Sequence, residues 1–596
     1  MACVLVVTVF AFGAVVVRVG MLQTVDAARY TALGESQRVR AVVLPAERGT
    51  IFDRSGAELA LTVAKKTVWA DPRLVTDPAQ AASLLSPILG TDPAALATRL
   101  GRTADFVYVA RQIDDSSAQR VAGLHLPGVF LIDEPGRVSP SGELARSIVG
   151  RVDIDSKGVS GVEGEYDARL AGAPGRLVRE RDAQGRTIPV GRQSVEPAQP
   201  GDDVVLTIDR SLQFATEQAL LRQVAAVGAR GARAIIQDPR TGDVLAMANI
   251  DIDPDTGQPV VSSANEALTA VFEPGSVNKV ITASAAIEEG LVNPDTVLQV
   301  PDQLQVSDHL FSDHDPHAVA SWSVTDIVTR SSNIGTIMIA QMLGKERIDE
   351  YLRKFGLGEK TALEFPGESA GLMLDPKDWS GTSIGSIPIG QGISVTAMQM
   401  LEVYNVIANG GMYVAPRLVA ATIDSGGARH DSPPAEENRV VSAETAAKVN
   451  SMLQNVVASK DGTGFRAAVP GYSVAGKTGT ARKPNDNGIP GYKTGAYVSS
   501  FAGYLPAENP QVSIIVVIDE PSTSIYASVV SAPVFAELAN LAVRQLRIAP
   551  AAALPSGATD VTPEVAPGTA PTPADIADAG PAPAVPSTTA PTPPTP

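Results

Sequence analysis

The chain has 596 residues, 44% hydrophobic and 5% aromatic, with 48 Lys plus Arg against 65 Asp plus Glu and a net charge of −17. That length allows several domains, and an acidic balance without a long Lys/Arg run argues against a nucleic-acid partner. A single cysteine, Cys3, excludes an intrachain disulfide and a cysteine-based zinc site.

Met1 to Val17 carry no charged side chain, and Arg18 is followed by Val19, Gly20, Met21 and Leu22. As a helix, this stretch reaches roughly 33 Å, enough to cross a bilayer core of about 30 Å. Residues 1–22 therefore read as an uncleaved single-pass anchor, with no small-x-small cleavage site after the apolar run. Basic residues belong before an anchor whose C-terminus lies outside. Here Arg18, Arg29, Arg38 and Arg40 all follow the run, which predicts a native start upstream with a short basic cytoplasmic tail.

Residues 23–39 read as a juxtamembrane stalk. Residues 40–200 form a mostly-β, non-catalytic block of short strand-like runs and Gly/Pro turns, such as Arg40 to Leu44 and Thr67 to Ala70. A second block, 202–548, opens with the strand-like Asp202 to Asp209 and a helix carrying Leu212, Ala215, Ala219 and Leu220 on one face. Strands at Ala234 to Gln237 and Val244 to Ala248 follow, joined by the hairpin-type turn Asp238 to Asp243. Two more strands, Tyr497 to Tyr504 and Val512 to Ile518, precede a helix over Ala532 to Leu546. Strands at both ends of a helical middle predict one α+β domain whose sheet is closed by distant segments. Residues 549–596, dominated by Pro, Ala and Thr and lacking any basic residue, bury too little apolar surface to order and read as a disordered tail.

Three short strings carry the chemistry. In Glu273-Pro274-Gly275-Ser276-Val277-Asn278-Lys279, Pro and Gly make a turn, and Val277, Val280, Ile281 and Ile287 then recur at helical spacing. Ser276 and Lys279 share one helix face. A serine hydroxyl is a weak nucleophile until a neighbouring amine, neutral for part of the time, takes its proton. Alone, such a string is common on surface helices. Ser331-Ser332-Asn333 after a helix-like run, and Lys477-Thr478-Gly479-Thr480 in a strand over Ser473 to Ala481, complete the ordered set found in penicillin-binding proteins and related β-lactamases.

On these motifs the chain resembles the class B penicillin-binding proteins, specifically the division-type (FtsI-like) D,D-transpeptidases of actinobacteria. The likeness runs from about residue 18 to 546. It includes Arg48-Gly49-Thr50-Ile51-Phe52-Asp53-Arg54 with Gly56, Leu59 and Ala60, and Gly158, Gly161, Glu163 and Tyr166 to Gly172. Ser332 to Gly335, Gly390-Gln391-Gly392, Val395-Thr396 and Gln399 are nearer to septal than to elongation-type members, and Phe501 to Pro506 with Asn509-Pro510 is similar to the family's closing strands.

The resemblance implies a pedestal block followed by a serine β-lactamase-like transpeptidase domain, an antiparallel sheet flanked by helices. It implies that Ser276 attacks the D-Ala-D-Ala bond of a peptidoglycan stem peptide, with Lys279 as base. Ser331, held by Asn333 and Lys477, relays a proton to the leaving amine. The N–H groups of Ser276 and Thr480 form an oxyanion hole, and Thr478 and Thr480 bind the terminal carboxylate. Gly479 lets an extended peptide lie against the strand edge. β-Lactams acylate Ser276, and a SEDS-family glycosyltransferase and other divisome membrane proteins are the expected partners. No cofactor is implied, and the catalytic domain is expected outside the cell membrane. The alternatives are an elongation-type transpeptidase or a non-enzymatic β-lactam-binding scaffold or sensor; a β-lactamase or D,D-carboxypeptidase fits the long pre-catalytic block less well. The cluster Asp308-His309 and Asp313-His314-Asp315-Pro316-His317 has metal-ligand chemistry but reads as a polar loop, with no metal expected. His125 and His430 read as surface histidines.

Overall fold

The structure, a computed structural model, describes residues 1–30, 39–180, 188, 193–485, 489 and 491–550. The predicted tail lies outside the described residues from 551 onward, as do residues 31–38 of the predicted stalk. Ala2–Gln23 is one apolar helix, long enough to cross a membrane, with none of its residues buried.

In the first block, the 13-residue strand Glu58–Ala70 is the spine, paired antiparallel with Val107–Ile113 and Val129–Val138. Helices Pro78–Leu89, Pro93–Leu100 and Asp115–Gly123 accompany it, and their Leu85, Leu96, Leu100 and Val121 pack with Val68, Ala70 and Val109. Asp77, Asp92 and Asp114 cap these helices, with proline at the first turn of the first two. An N-terminal turn has spare N–H donors and no use for the proline donor, so both residue types suit it. A smaller sheet joins Val39–Leu44, Gly175–Glu180 and Gln193–Glu196.

The two blocks are sewn together by the Arg48-Gly49-Thr50 segment. Ile51–Phe52 pairs parallel with Asp203–Leu206, which in turn pairs with Val419–Ile423 of the second block. The opening strand of the second block therefore belongs to this joining sheet. A Cβ at Gly49 would lie 2.0 Å from Asp202 O, so no larger residue fits that crossing. Beside it, Arg48 is buried and bonds to Glu163 and Asp167, each at 2.7 Å, while Arg137 bonds the other Glu163 oxygen at 2.6 Å.

The second block holds a six-stranded antiparallel sheet in the order Pro259–Val261, Val244–Ile252, Gly231–Gln237, Val512–Asp519, Tyr492–Leu505, Ala475–Pro484. The early and late strands meet between Gly231–Gln237 and Val512–Asp519, which is the distant closure anticipated from the sequence. Alternate residues point to opposite faces of a strand, and here both faces are covered. Ile514, Val516 and Ile518 pack with Leu220, Phe535 and Leu538 of helices Arg210–Val227 and Ala532–Gln545. Ile515 and Val517 pack with helices Lys279–Glu288, Asn333–Leu343, Ala397–Ala408 and Ala443–Ala458. Burial on two faces explains the unbroken apolar run of Val512–Asp519.

Candidate active site

The serine string folds as anticipated, with one refinement. Gly275–Asn278 is a 3₁₀ turn that runs into the helix Lys279–Glu288. Gly275 has φ +59°, a left-handed conformation that glycine adopts without strain. Its N–H donates to Gly390 O at 2.9 Å, and a Cβ on Gly390 would lie 2.1 Å from Gly275 O. The Gly390-Gln391-Gly392 turn is thus pressed against the serine turn. Tyr404 Oη donates to Val277 O at 3.0 Å, and Asn278 Nδ2 to Ile387 O at 3.0 Å, fixing the turn from below.

Ser331 and Asn333 reach the same place from another element. Ser331 ends the helix Val324–Arg330 with φ +63°, and Ser332 caps Asn333–Leu343 by accepting from Gly335 N at 2.9 Å. A non-glycine residue in the left-handed region is strained by roughly 1–2 kcal/mol. That conformation brings Ser331 O to 2.6 Å from Lys279 Nζ, with Ser331 Oγ at 3.4 Å and Asn333 Oδ1 at 2.7 Å. None of the Lys279 hydrogen bonds goes to Ser276 Oγ.

Lys477 projects from the edge strand Ala475–Pro484 and is fully buried. Its ammonium donates to Thr478 O at 3.2 Å, Thr478 Oγ1 at 3.3 Å and Thr463 Oγ1 at 3.5 Å; Thr463 and Thr478 are themselves 2.7 Å apart. The expected contact of Lys477 with Ser331 is replaced by this threonine pair. Gly479 also has a reason other than substrate access. A Cβ there would lie 2.6 Å from Ser500 Oγ and 2.9 Å from Pro274 O, so its absence lets the serine turn dock on the strand.

Electrostatics single out the two lysines. Burial pulls the Lys279 amine from its ordinary 10.5 down to about 7, with Asp313 opposing the fall. Burial, reinforced by Lys279, takes Lys477 well below its ordinary value. Two desolvated amines in one place each disfavour the other's proton. Just before the serine, Glu273 is buried and accepts from Gly392 N at 2.9 Å and Tyr492 Oη at 3.1 Å. Burial pushes its carboxyl up to about 7 against those two bonds.

A cleft of about 620 Å³ opens over this constellation, lined by Ser276, Ser331, Asn333, Thr478 and Thr480 among others. Thr480 Oγ1 accepts from Ala527 N at 3.4 Å.

The histidine-rich loop lines this cleft through His309, Asp313, His314 and His317. Among the described residues no three His, Cys, Asp or Glu side chains converge. Instead Asp313 accepts from Asn333 N, from Ile334 N at 3.0 Å and from Ser332 Oγ at 2.7 Å. Sequence reasoning missed this role. The available signal was a carboxylate shortly ahead of a helix start with spare N–H donors, but nothing in the spacing aims it there.

Residues 232–540 match the penicillin binding protein transpeptidase domain, and 43–206 match the penicillin-binding protein dimerisation domain. The chain belongs to the class B penicillin-binding proteins. It is 38% identical over 530 residues to penicillin-binding protein PbpB of Mycobacterium tuberculosis, covering 84% of this chain and 78% of that one. Peptidoglycan D,D-transpeptidase FtsI of Escherichia coli is 32% identical over 566 residues, covering 92% and 91%. Among solved structures, penicillin-binding protein 3 of Mycobacterium tuberculosis complexed with aztreonam superposes with a TM-score of 0.66 at 34% identity, covering 87% of this chain and all of that one. In this penicillin-binding protein all three motifs fall inside the transpeptidase match, and the Arg48–Glu163 pair falls inside the dimerisation match.

Proposed function

We propose that this class B penicillin-binding protein is a septal peptidoglycan D,D-transpeptidase that works through a Ser276 acyl-enzyme and is inhibited by β-lactams. The observation that carries this reading is the convergence of Ser276, Ser331, Asn333 and Thr478 at one cleft, with Lys279 bonded to Asn333 and Lys477 to Thr478 beneath its surface and the Lys279 amine held near neutrality. A neutral amine has two N–H donors and one lone pair. Ser331 O and Asn333 Oδ1 occupy the two donors, which leaves the lone pair to accept a proton.

In the reaction Ser276 Oγ attacks the carbonyl carbon of the penultimate D-alanine while its proton passes to Lys279. The developing oxyanion is held by the N–H groups of Ser276 and Thr480, an arrangement worth several kcal/mol in such sites. Thr478 and Thr480 hold the terminal carboxylate, and Gly479 keeps the strand close to the serine. Ser331 delivers its proton to the departing D-alanine nitrogen and takes the one held by Lys279, 3.4 Å away; the peptide C–N bond breaks and the acyl-enzyme remains. An amine of a neighbouring stem peptide then attacks the ester, forming the cross-link and returning the proton to Ser276.

The reading divides the chain into an anchor (1–22), a stalk (23–39), a pedestal (40–200), a transpeptidase domain (202–548) and a tail (549–596). The apolar helix Ala2–Gln23 supports a single-pass protein with its catalytic domain outside the membrane, where the substrate is. A SEDS-family glycosyltransferase and other divisome membrane proteins are the partners, meeting the anchor and pedestal. The septal assignment rests on likeness to the FtsI and PbpB relatives.

Labelling with a fluorescent penicillin tests the chemistry. The wild-type protein labels and Ser276→Ala does not; a labelled Ser276→Ala protein removes the nucleophile assignment. Depletion in the native cell tests the septal role, with filaments or chains expected and bulging cells assigning the enzyme to elongation.

A further inference from the structure

His317 lies beside the Ser331-Ser332-Asn333 turn on the loop that the motifs leave unexplained. Its two ring nitrogens both face acceptors: Nδ1 is 2.7 Å from Ala318 O, and Nε2 is 3.1 Å from Asp313 Oδ2. A carbonyl and a carboxylate accept and cannot donate. A neutral imidazole has one N–H and would leave a lone pair against one of them, so only the doubly protonated ring satisfies both. Asp313 in turn binds Ser332 Oγ and the N–H groups of Asn333 and Ile334, and Asn333 Oδ1 receives the Lys279 amine. A continuous chain of hydrogen bonds therefore runs from the histidine to the base.

We propose that Asp313 and His317 are a positioning pair for acyl transfer, in which the His317 imidazolium clamps the Asp313 carboxylate so that Ser331 and Asn333 stay in register with Lys279. This rests on the transpeptidase reading of the cleft and adds proton control to it. The surroundings of the pair agree. Burial lowers the affinity of His317 for its proton, but the bonds to Ala318 O and Asp313, with the charges of Asp313 and Asp302, more than offset that and hold it above the ordinary 6.5. Trp322 packs on the ring with centroids 4.5 Å apart, and Arg330 from the neighbouring helix lies over the same indole at 5.6 Å. Arg330 is itself paired with Asp461 at 2.9 Å. His314 and Asp315 on the same loop face one another at 4.0 Å and are largely exposed. Of the buried cations, Lys279 feels the charge of Asp313, and Lys477 feels that of Lys279.

Loss of the His317 proton breaks one of its two bonds and frees Asp313 to shift. Acylation should therefore rise with pH as Lys279 deprotonates and fall again as His317 does. The test is the second-order rate of acylation of the full chain by a fluorescent penicillin, measured between about pH 5 and 9, the range in which histidine titrates. In His317→Gln the alkaline fall should vanish. The rate at its optimum should drop roughly tenfold, the scale of one charge-assisted hydrogen bond, with the melting temperature unchanged. In Asp313→Asn the His317 ring signal, followed by NMR with labelled histidine, should titrate at lower pH than in the wild type. A His317→Gln protein with the wild-type rate and alkaline fall overturns the proposal, as does a wild-type His317 that titrates at or below the ordinary value. A wild-type protein that does not label on Ser276 overturns the transpeptidase reading instead, a separate and recognisable result.

Discussion

At the seam with the pedestal, Arg48 and Arg137 close on Glu163, with Asp167 as a second carboxylate, and opposite charges lie within 2.7 Å of each other. In the cleft Lys279 and Lys477 are as deeply buried, yet their bonding partners are neutral carbonyl, amide and hydroxyl oxygens. The first cluster pairs its cations with carboxylates inside the pedestal and steadies the segment that crosses to the second block. The second gives its amines no carboxylate to bond, and the charge of Asp313 offsets the burial of Lys279 only in part, so the proton becomes the variable that relieves the cost. Burial alone therefore does not distinguish a structural ion from a reactive one; the chemistry of its partners does.

The largest expected effects separate these two plans. Lys279→Met should lower penicillin acylation by at least about a thousandfold, since both the base and the order of the turn are lost, while its melting temperature falls no lower than that of the wild type. A large loss of stability in Lys279→Met would break the comparison. Glu163→Ala should do the reverse. It leaves two buried guanidinium groups without their shared carboxylate, at a cost of about 3–5 kcal/mol in denaturant unfolding, and folded molecules should still acylate.

Next in size is Gly479→Ala. Its methyl group has to displace Pro274 O and Ser500 Oγ, an overpacking of about 1–3 kcal/mol that should slow acylation by moving Ser276 away from the strand.

The pH dependence of stability sharpens the contrast further. Lys279 binds fewer protons in the folded protein than in the unfolded one between pH about 7 and 10.5, so its contribution grows with pH over that window and is lost as pH falls through about 7. Glu273 has the opposite sign. Its folded carboxyl holds a proton up to about 7 against 4.5 unfolded, so its contribution is present below 4.5 and lost as pH rises through 7. Urea melts of wild type and Glu273→Gln across that range should differ in slope between pH 4.5 and 7 in this sense. The smallest change belongs to Thr463→Ala, which removes one long bond to Lys477 and the 2.7 Å bond to Thr478; roughly 0.5–1.5 kcal/mol is expected, read as a small shift in the acylation optimum.

Much of the fold was legible in the chain. The apolar helix Ala2–Gln23 and the strands Gly231–Gln237, Val244–Ile252 and Val512–Asp519 announce themselves through run length and alternation. Three ordered motifs were enough to identify the family, because acyl transfer needs a serine, an amine and a substrate-binding strand in set local contexts. Other features were not legible because spacing carries no information about them. Asp313 reaches the turn at Asn333 across 20 residues, and Glu273 meets Gly392 across 119. No local pattern marks Asp203–Leu206 as part of the joining sheet. The sequence by itself determined which groups are available for catalysis and on which elements they ride. Only the tertiary structure decided which lysines are buried among neutral oxygens, which glycine makes room for the serine turn and which histidine must keep two protons. Those outcomes depend on desolvation and on partners brought together by packing, and neither is encoded in neighbouring residues.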